Sequence, residues 1–198
     1  FFYNFEYYLE NPLEILLPFS IQNGVWKFTG ITGMSYHGGL IGVLIAMWMY
    51  GRKKRLHLYT IADFMTPAIP LGYFFGRIGN FINGELYGRV TEASIGMYFP
   101  NSGNYELRHP SQLYEAFFEG IILFFLIKHL KNRFQGFNSG LYVFGYAFFR
   151  FFIEYFREPD VHLGFILFNL SMGQLLCLAM MGGAITIWIT GYKLDSKN

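Results

Sequence analysis

The sequence predicts an all-α, polytopic transmembrane helix bundle of about five spans forming a single domain, and two observations carry that prediction. First, the 198 residues are 53% hydrophobic and 21% aromatic but only 14% charged, well below the roughly 25% charge of soluble domains. Second, the apolar residues gather into long runs separated by short charged clusters, rather than marking one face of each element. The formal net charge of +2 comes with no basic stripe interleaved with aromatics, so nucleic acid is not expected as a partner.

A helix that crosses the hydrocarbon core needs about 20 mostly apolar residues. Five stretches approach that length, approximately 34–51, 60–82, 112–130, 141–156 and 172–192, with a segment 1–33 ahead of them and a loop 83–111 between the second and third. Arg52, Lys53, Lys54 and Arg55 follow the first stretch, Lys128, Lys131 and Arg133 close the third, and Lys193 and Lys197 follow the last. Cytoplasmic loops carry the excess of lysine and arginine, so simple alternation puts these ends in the cytoplasm and places 1–33, 83–111 and 157–171 on the outer side. Trp26 and the aromatics of Phe1 to Tyr8 suit either an interfacial belt or ordinary packing. Cys177, the single cysteine, lies in an apolar stretch and reads as a small packing residue.

Polar residues inside these stretches need a reason, because an ionised arginine near the bilayer centre costs about 2.5 to 3.5 kcal/mol. Arg77 stands in the run Gly76 to Arg89, where Arg77 and Asn80 share a helix face and Gly84 and Gly88 let the backbone break and approach a ligand. Helix packing would explain the glycines but not the arginine and asparagine. In the fourth stretch Tyr146, Arg150 and Glu154 recur every four residues and Arg157 follows three later, giving one stripe of phenol, guanidinium, carboxylate and guanidinium. An internal Arg150–Glu154 pair would explain how the charge is tolerated but not why it is there. His37, at the outer end of the first stretch, belongs to a type that exchanges protons near neutral pH. His109-Pro110-Ser111 reads as a helix start, with Gln112 and Glu115 remaining as possible site residues.

These clusters fall at the outer ends of four stretches, as expected of a cavity open to the outer leaflet. Two arginines suit bidentate recognition of a phosphate, and hence an anionic lipid headgroup. No cluster has metal-ligand spacing and no nucleotide loop is present, so neither a metal nor another cofactor is expected.

The combination of Tyr36-His37-Gly38-Gly39-Leu40, the Gly76 to Arg89 signature, His109-Pro110-Ser111-Gln112-Leu113-Tyr114-Glu115, and Phe149-Arg150 through Glu154 to Arg157-Glu158-Pro159-Asp160 resembles bacterial prolipoprotein diacylglyceryl transferases, in the family's order and over nearly the whole chain. The resemblance implies a multi-pass inner-membrane enzyme with its site toward the periplasm. Such an enzyme moves the diacylglyceryl group of phosphatidylglycerol to the lipobox cysteine of a prolipoprotein signal peptide, forming a thioether and releasing glycerol phosphate. It also implies catalytic roles for His37, Arg77, Arg150 and Glu154, and substrate contacts for Asn80, Glu85, Gly88 and Arg157, while Tyr146, read from the stripe itself, is expected to orient headgroup or phosphate oxygens by hydrogen bonding. Family members ordinarily have seven spans, so the chain is expected to begin at the end of the second. Two other classes compete. A transporter would continue its polar residues toward the cytoplasmic ends, where Leu44 to Tyr50 and Leu123 to Ile127 stand instead. A noncatalytic anionic-lipid-binding protein would need the arginines but no thiol acceptor.

Overall fold

The computed structural model describes residues 19–22, 25–28, 36–103, 105–130, 132–158, 165–167 and 170–196. Helices dominate, as the composition requires, and the chain divides into two compact units, Phe1–Leu56 and His57–Asn198.

In the first unit, strands β1 (Phe19–Gln22) and β2 (Val25–Phe28) pair antiparallel, with Phe19 opposite Phe28 and Gln22 opposite Val25. Helix α1 (Tyr36–Lys54) follows. Arg52, Lys53 and Lys54 fill its last turn, where cations meet the unpaired carbonyls of the helix end. Arg52 also lies 4.8 Å over the Trp48 ring, and Arg55, at φ 55°, turns the chain out of the helix.

The second unit begins by dividing the stretch 60–82 into two helices, α2 (Leu58–Met65) and α3 (Ala68–Ile82). Pro67 is the reason, since it has no N–H with which to continue the ladder. Thr66 closes α2, bonding the Ala62 carbonyl through both its N–H (2.9 Å) and its hydroxyl (2.7 Å). The stretch 112–130 is also composite. Helix α4 (Ser111–Glu115) passes through a π-helical segment (Ala116–Ile122) into α5 (Leu123–His129). Helix α6 (Phe137–Ile153) follows, and a short antiparallel pair, β3 (Phe165–Leu167) and β4 (Leu170–Ser171), leads into α7 (Met172–Asp195). Among the described residues, α7 is the one helix long and apolar enough to cross a membrane by itself.

Small residues let these helices approach closely. A Cβ on Gly120 of the π segment would stand 2.7 Å from the Phe74 Cβ of α3. One on Gly145 of α6 would stand 2.5 Å from Leu123 Cδ1. Leu123, Ala147 and Ala184 are fully buried, and Cys177 is buried too. Asp63, buried on α2, caps α6 from outside. Its carboxylate accepts the N–H groups of Gly136 and Ser139 (2.8 Å each), the Ser139 hydroxyl (2.6 Å) and the Asn132 amide (3.2 Å). That satisfies donors the helix start leaves unpaired.

Residues 88–97 pair through their backbone with residues 107–109 and 156–157. Gly88 bridges to Arg157, and both Val90 and Met97 bridge to Arg108. The Gly88 N–H donates to the His109 carbonyl (2.8 Å), and the Arg89 N–H to that of Phe156 (2.9 Å). This pairing therefore ties the end of α3, the start of α4 and the end of α6 together.

Candidate active site

Three guanidinium groups and a phenol converge on one carboxylate, that of Glu115 at the end of α4, which is wholly buried. Arg77 Nε from α3 and Arg150 Nη1 from α6 each lie 2.9 Å from Glu115 Oε2. The Tyr73 hydroxyl donates to the same oxygen at 2.8 Å, and Arg157 Nη1 reaches Oε1 at 2.7 Å. Three donors share Oε2 and one takes Oε1, and the carboxylate is sealed from solvent, so Glu115 is an anchor for the arginines rather than a ligand contact. Glu154 Oε2 lies 3.5 Å from the Nε atoms of both Arg150 and Arg157.

The helix periods explain this convergence. Tyr73 and Arg77 are four residues apart on α3, and Glu154, which caps α6, stands four after Arg150, so each pair projects from one face. Arg77 also donates to Asn80 Oδ1 (3.2 Å) and covers the Tyr73 ring at 4.7 Å. Tyr146 meets Tyr73 edge to face, with ring centroids 5.7 Å apart. The arginines cover the sealed anchor without being sealed themselves, since the side chains of Arg77, Arg150 and Arg157 keep 17%, 17% and 20% exposure. Each binds through Nε and Nη1, and the Nη2 groups have no hydrogen-bond partner among the described residues. The groups in ion-pair contact comprise three cations and two carboxylates, and the buried carboxylate of Glu119 interacts with Arg150 and Arg77 as well. The unused guanidinium donors, rather than a net charge, are what would suit an anion.

Arg77, Asn80, Tyr146, Arg150, Glu154 and Arg157 are thus brought together. Glu85 sits at the margin, its Oε2 3.5 Å from Asn80 Nδ2. Gly88 lies between protein carbonyls. A Cβ there would collide with the Phe156 oxygen and come within 2.9 Å of that of His109, so the signature needs glycine for close backbone passage. His37 falls in the first turn of α1, and its side chain lies outside the described residues. The Arg150–Glu154 pair exists, but at 3.5 Å it is secondary to the 2.9 Å contact with Glu115.

The Ser111 and Gln112 side chains do not cap their helix. They bond the Leu86 carbonyl (3.1 Å) and the Glu85 carbonyl (2.5 Å), which fixes the signature loop to α4. Burial holds the His109 imidazole below its ordinary pKa, and its Nδ1 faces the Tyr114 hydroxyl at 3.1 Å.

Sequence reasoning left the Glu115 role open and passed over Tyr73, Glu119 and Arg89. Glu119 is wholly buried, with neither oxygen hydrogen-bonded among the described residues. Arg89 Nε donates to the Arg157 carbonyl at 2.5 Å, serving the chain end of α6. The available signal was the pair of acids in the 112–130 stretch, since a buried acid requires a partner and the two unexplained arginines were the obvious ones.

An apolar groove of about 300 Å³ runs beside the charges, lined chiefly by Tyr114, Phe118, Phe149, Phe152, Ile153 and Phe156. Tyr114 precedes Glu115, while Phe149, Ile153 and Phe156 each precede a charged residue of the α6 stripe. Charge and grease therefore occupy adjoining faces of the same two elements.

A model of the family described as prolipoprotein diacylglyceryl transferase matches residues 1–190. A relative from Chlorobaculum tepidum, named phosphatidylglycerol–prolipoprotein diacylglyceryl transferase, is 54% identical over 95% of this chain and 66% of its own length. Relatives of the same name from Idiomarina loihiensis and Nitratidesulfovibrio vulgaris are 47% and 49% identical, over 97% and 95% of this chain and 68% and 67% of theirs. The chain thus spans about two thirds of the length of the curated relatives it matches.

Proposed function

The chain belongs to the prolipoprotein diacylglyceryl transferase family, and from that premise we propose that it transfers the diacylglyceryl group of phosphatidylglycerol to the lipobox cysteine of a prolipoprotein signal peptide. It works as a multi-pass protein of the bacterial inner membrane, its helices forming a bundle of about five spans within residues 1–198 and its site facing the periplasm. Exposed Phe64, Phe75, Leu176 and Ile185 suit lipid contact. The observation that carries the reading is the trio Arg77, Arg150 and Arg157, held by buried Glu115 with donors to spare, beside an apolar groove. A phospholipid has that same division. Its phosphate takes the guanidinium donors, and the groove gives an acyl chain apolar walls in place of the surrounding lipid.

The reaction is a displacement at the glyceryl carbon. The thiol loses its proton to a base and its sulfur bonds that carbon. The carbon–oxygen bond to phosphate breaks, and glycerol phosphate leaves with the bonding electrons. A free cysteine thiol has a pKa near 8.5, so a base assists, and His37 is assigned first and Glu154 second. The arginines stabilise the charge that gathers on the leaving phosphate. Asn80 and Tyr146 orient its oxygens, Glu85 and Arg157 border the headgroup, and Gly88 maintains the loop that places them. The test is to incubate the purified protein in phosphatidylglycerol vesicles with a lipobox peptide and weigh the peptide. A gain of one diacylglyceryl group supports the reading. Lipid binding without mass gain favours a noncatalytic lipid-binding role and overturns it.

A further inference from the structure

Building on the transferase reading, we infer that Ser171 and Gly173 in the first turn of α7 are positioning residues for Glu154. They hold its carboxylate against the helix start with Oε2 left as an open acceptor between Arg150 and Arg157.

Glu154 follows the last residue of α6, and its side chain crosses to the beginning of α7. Ser171 is the N-cap of that helix and its hydroxyl serves two partners. It accepts the Gln174 N–H at 3.2 Å and donates to Glu154 Oε1 at 3.2 Å. Gln174 completes the capping box by accepting the Ser171 N–H at 3.0 Å. Buried as it is, Gln174 also reaches back through Nε2 to the Phe151 carbonyl of α6 (3.4 Å). The box therefore joins the two helices on either side of the carboxylate.

Gly173 forms the floor. A Cβ there would stand 2.6 Å from Glu154 Oε1, 2.9 Å from Cδ and 3.3 Å from Oε2. A side chain there would push the carboxylate from where it lies, so glycine leaves the space that this position of Glu154 needs. Lying over the first turn of a 24-residue helix, the carboxylate also receives the positive end of the helix dipole. Ser171 takes Oε1, and Oε2 is buried with no hydrogen-bond donor among the described residues, facing two guanidinium Nε atoms at 3.5 Å. A buried acceptor flanked by cations but lacking a donor is placed to receive one from a substrate.

A structural role alone and a positioning role differ in how substitutions combine. Replacing Gly173 by alanine leaves the capping box intact but intrudes on the carboxylate. Replacing Ser171 by threonine keeps both hydroxyl contacts, whereas alanine removes them. In the transfer assay with intact protein in vesicles, G173A and S171A are expected to lower kcat at least tenfold, and S171T to retain most of it. In an E154Q background the same substitutions should cost less than about twofold more, because they act through Glu154. Full loss on top of E154Q, or normal kcat in G173A, would overturn the inference. If S171A fails to fold, G173A and S171T still decide the matter. Absence of transfer by the unsubstituted protein would overturn the transferase reading itself, and this inference with it.

Discussion

Replacing Glu115 by glutamine tests the centre of the site at constant shape. The carboxylate is wholly buried and accepts Tyr73, Arg77 and Arg150 at one oxygen and Arg157 at the other, all within 2.9 Å. Glutamine can keep an oxygen toward the first three, but its NH2 must then face Arg157 Nη1, donor against donor across a 2.7 Å contact. The variant also leaves buried guanidinium charge uncompensated, and removing one partner of a buried pair costs about 3–5 kcal/mol. At about 2–4 °C per kcal/mol for a chain of this size, the melting temperature should fall by roughly 6 °C or more. Melting would be followed by near-ultraviolet circular dichroism in one detergent for both proteins. Adding Arg157→Leu should recover part of the loss, because the clashing donor is gone while the other three still meet an oxygen. An E115Q protein that melts within about 1 °C of the unsubstituted one and transfers lipid normally would refute the anchor role.

Arg77→Lys and Arg150→Lys keep the charge but lose the fork. Each should raise the phosphatidylglycerol concentration needed for half-maximal transfer and lower the rate by at least about tenfold, measured by peptide mass over a lipid titration. If His37 takes the thiol proton, His37→Gln should abolish thioether formation while binding of fluorescent phosphatidylglycerol persists, and a near-normal rate would move the role to another residue. Gly88→Ala drives a methyl into the Phe156 carbonyl, so it should lower stability by about 1–3 kcal/mol, read from thermal melting. Asp63→Asn turns one oxygen of the α6 cap into a donor facing other donors. A loss of about 1–2 kcal/mol in the same measurement is expected, and an unchanged melting temperature would deny the capping role.

The stripe Tyr146, Arg150, Glu154 and Arg157 and the pair Arg77 and Asn80 were legible from spacing, because neighbours on a helix face are fixed by a local period. Their partners were not. Arg150 stands four residues from Glu154 along the stripe, yet its shorter contact is Glu115, thirty-five residues away. Gly88 reads as letting the backbone approach a ligand, and what spacing alone does not show is that the Phe156 carbonyl, just past α6, packs against it. Asp63 carried no recognisable signal, since a cap supplied by another helix leaves no spacing to read.

By itself the sequence determined the helical class, the apolar stretches and the faces on which charged groups stand, all of which follow from composition and from interactions within a few residues. The tertiary structure decided which face meets which. Only packing brought Glu115 under three arginines and laid Glu154 across the start of α7. The physical reason is that helix periodicity specifies direction around an axis, whereas the pairing of faces depends on how side chains from distant segments fill a shared volume.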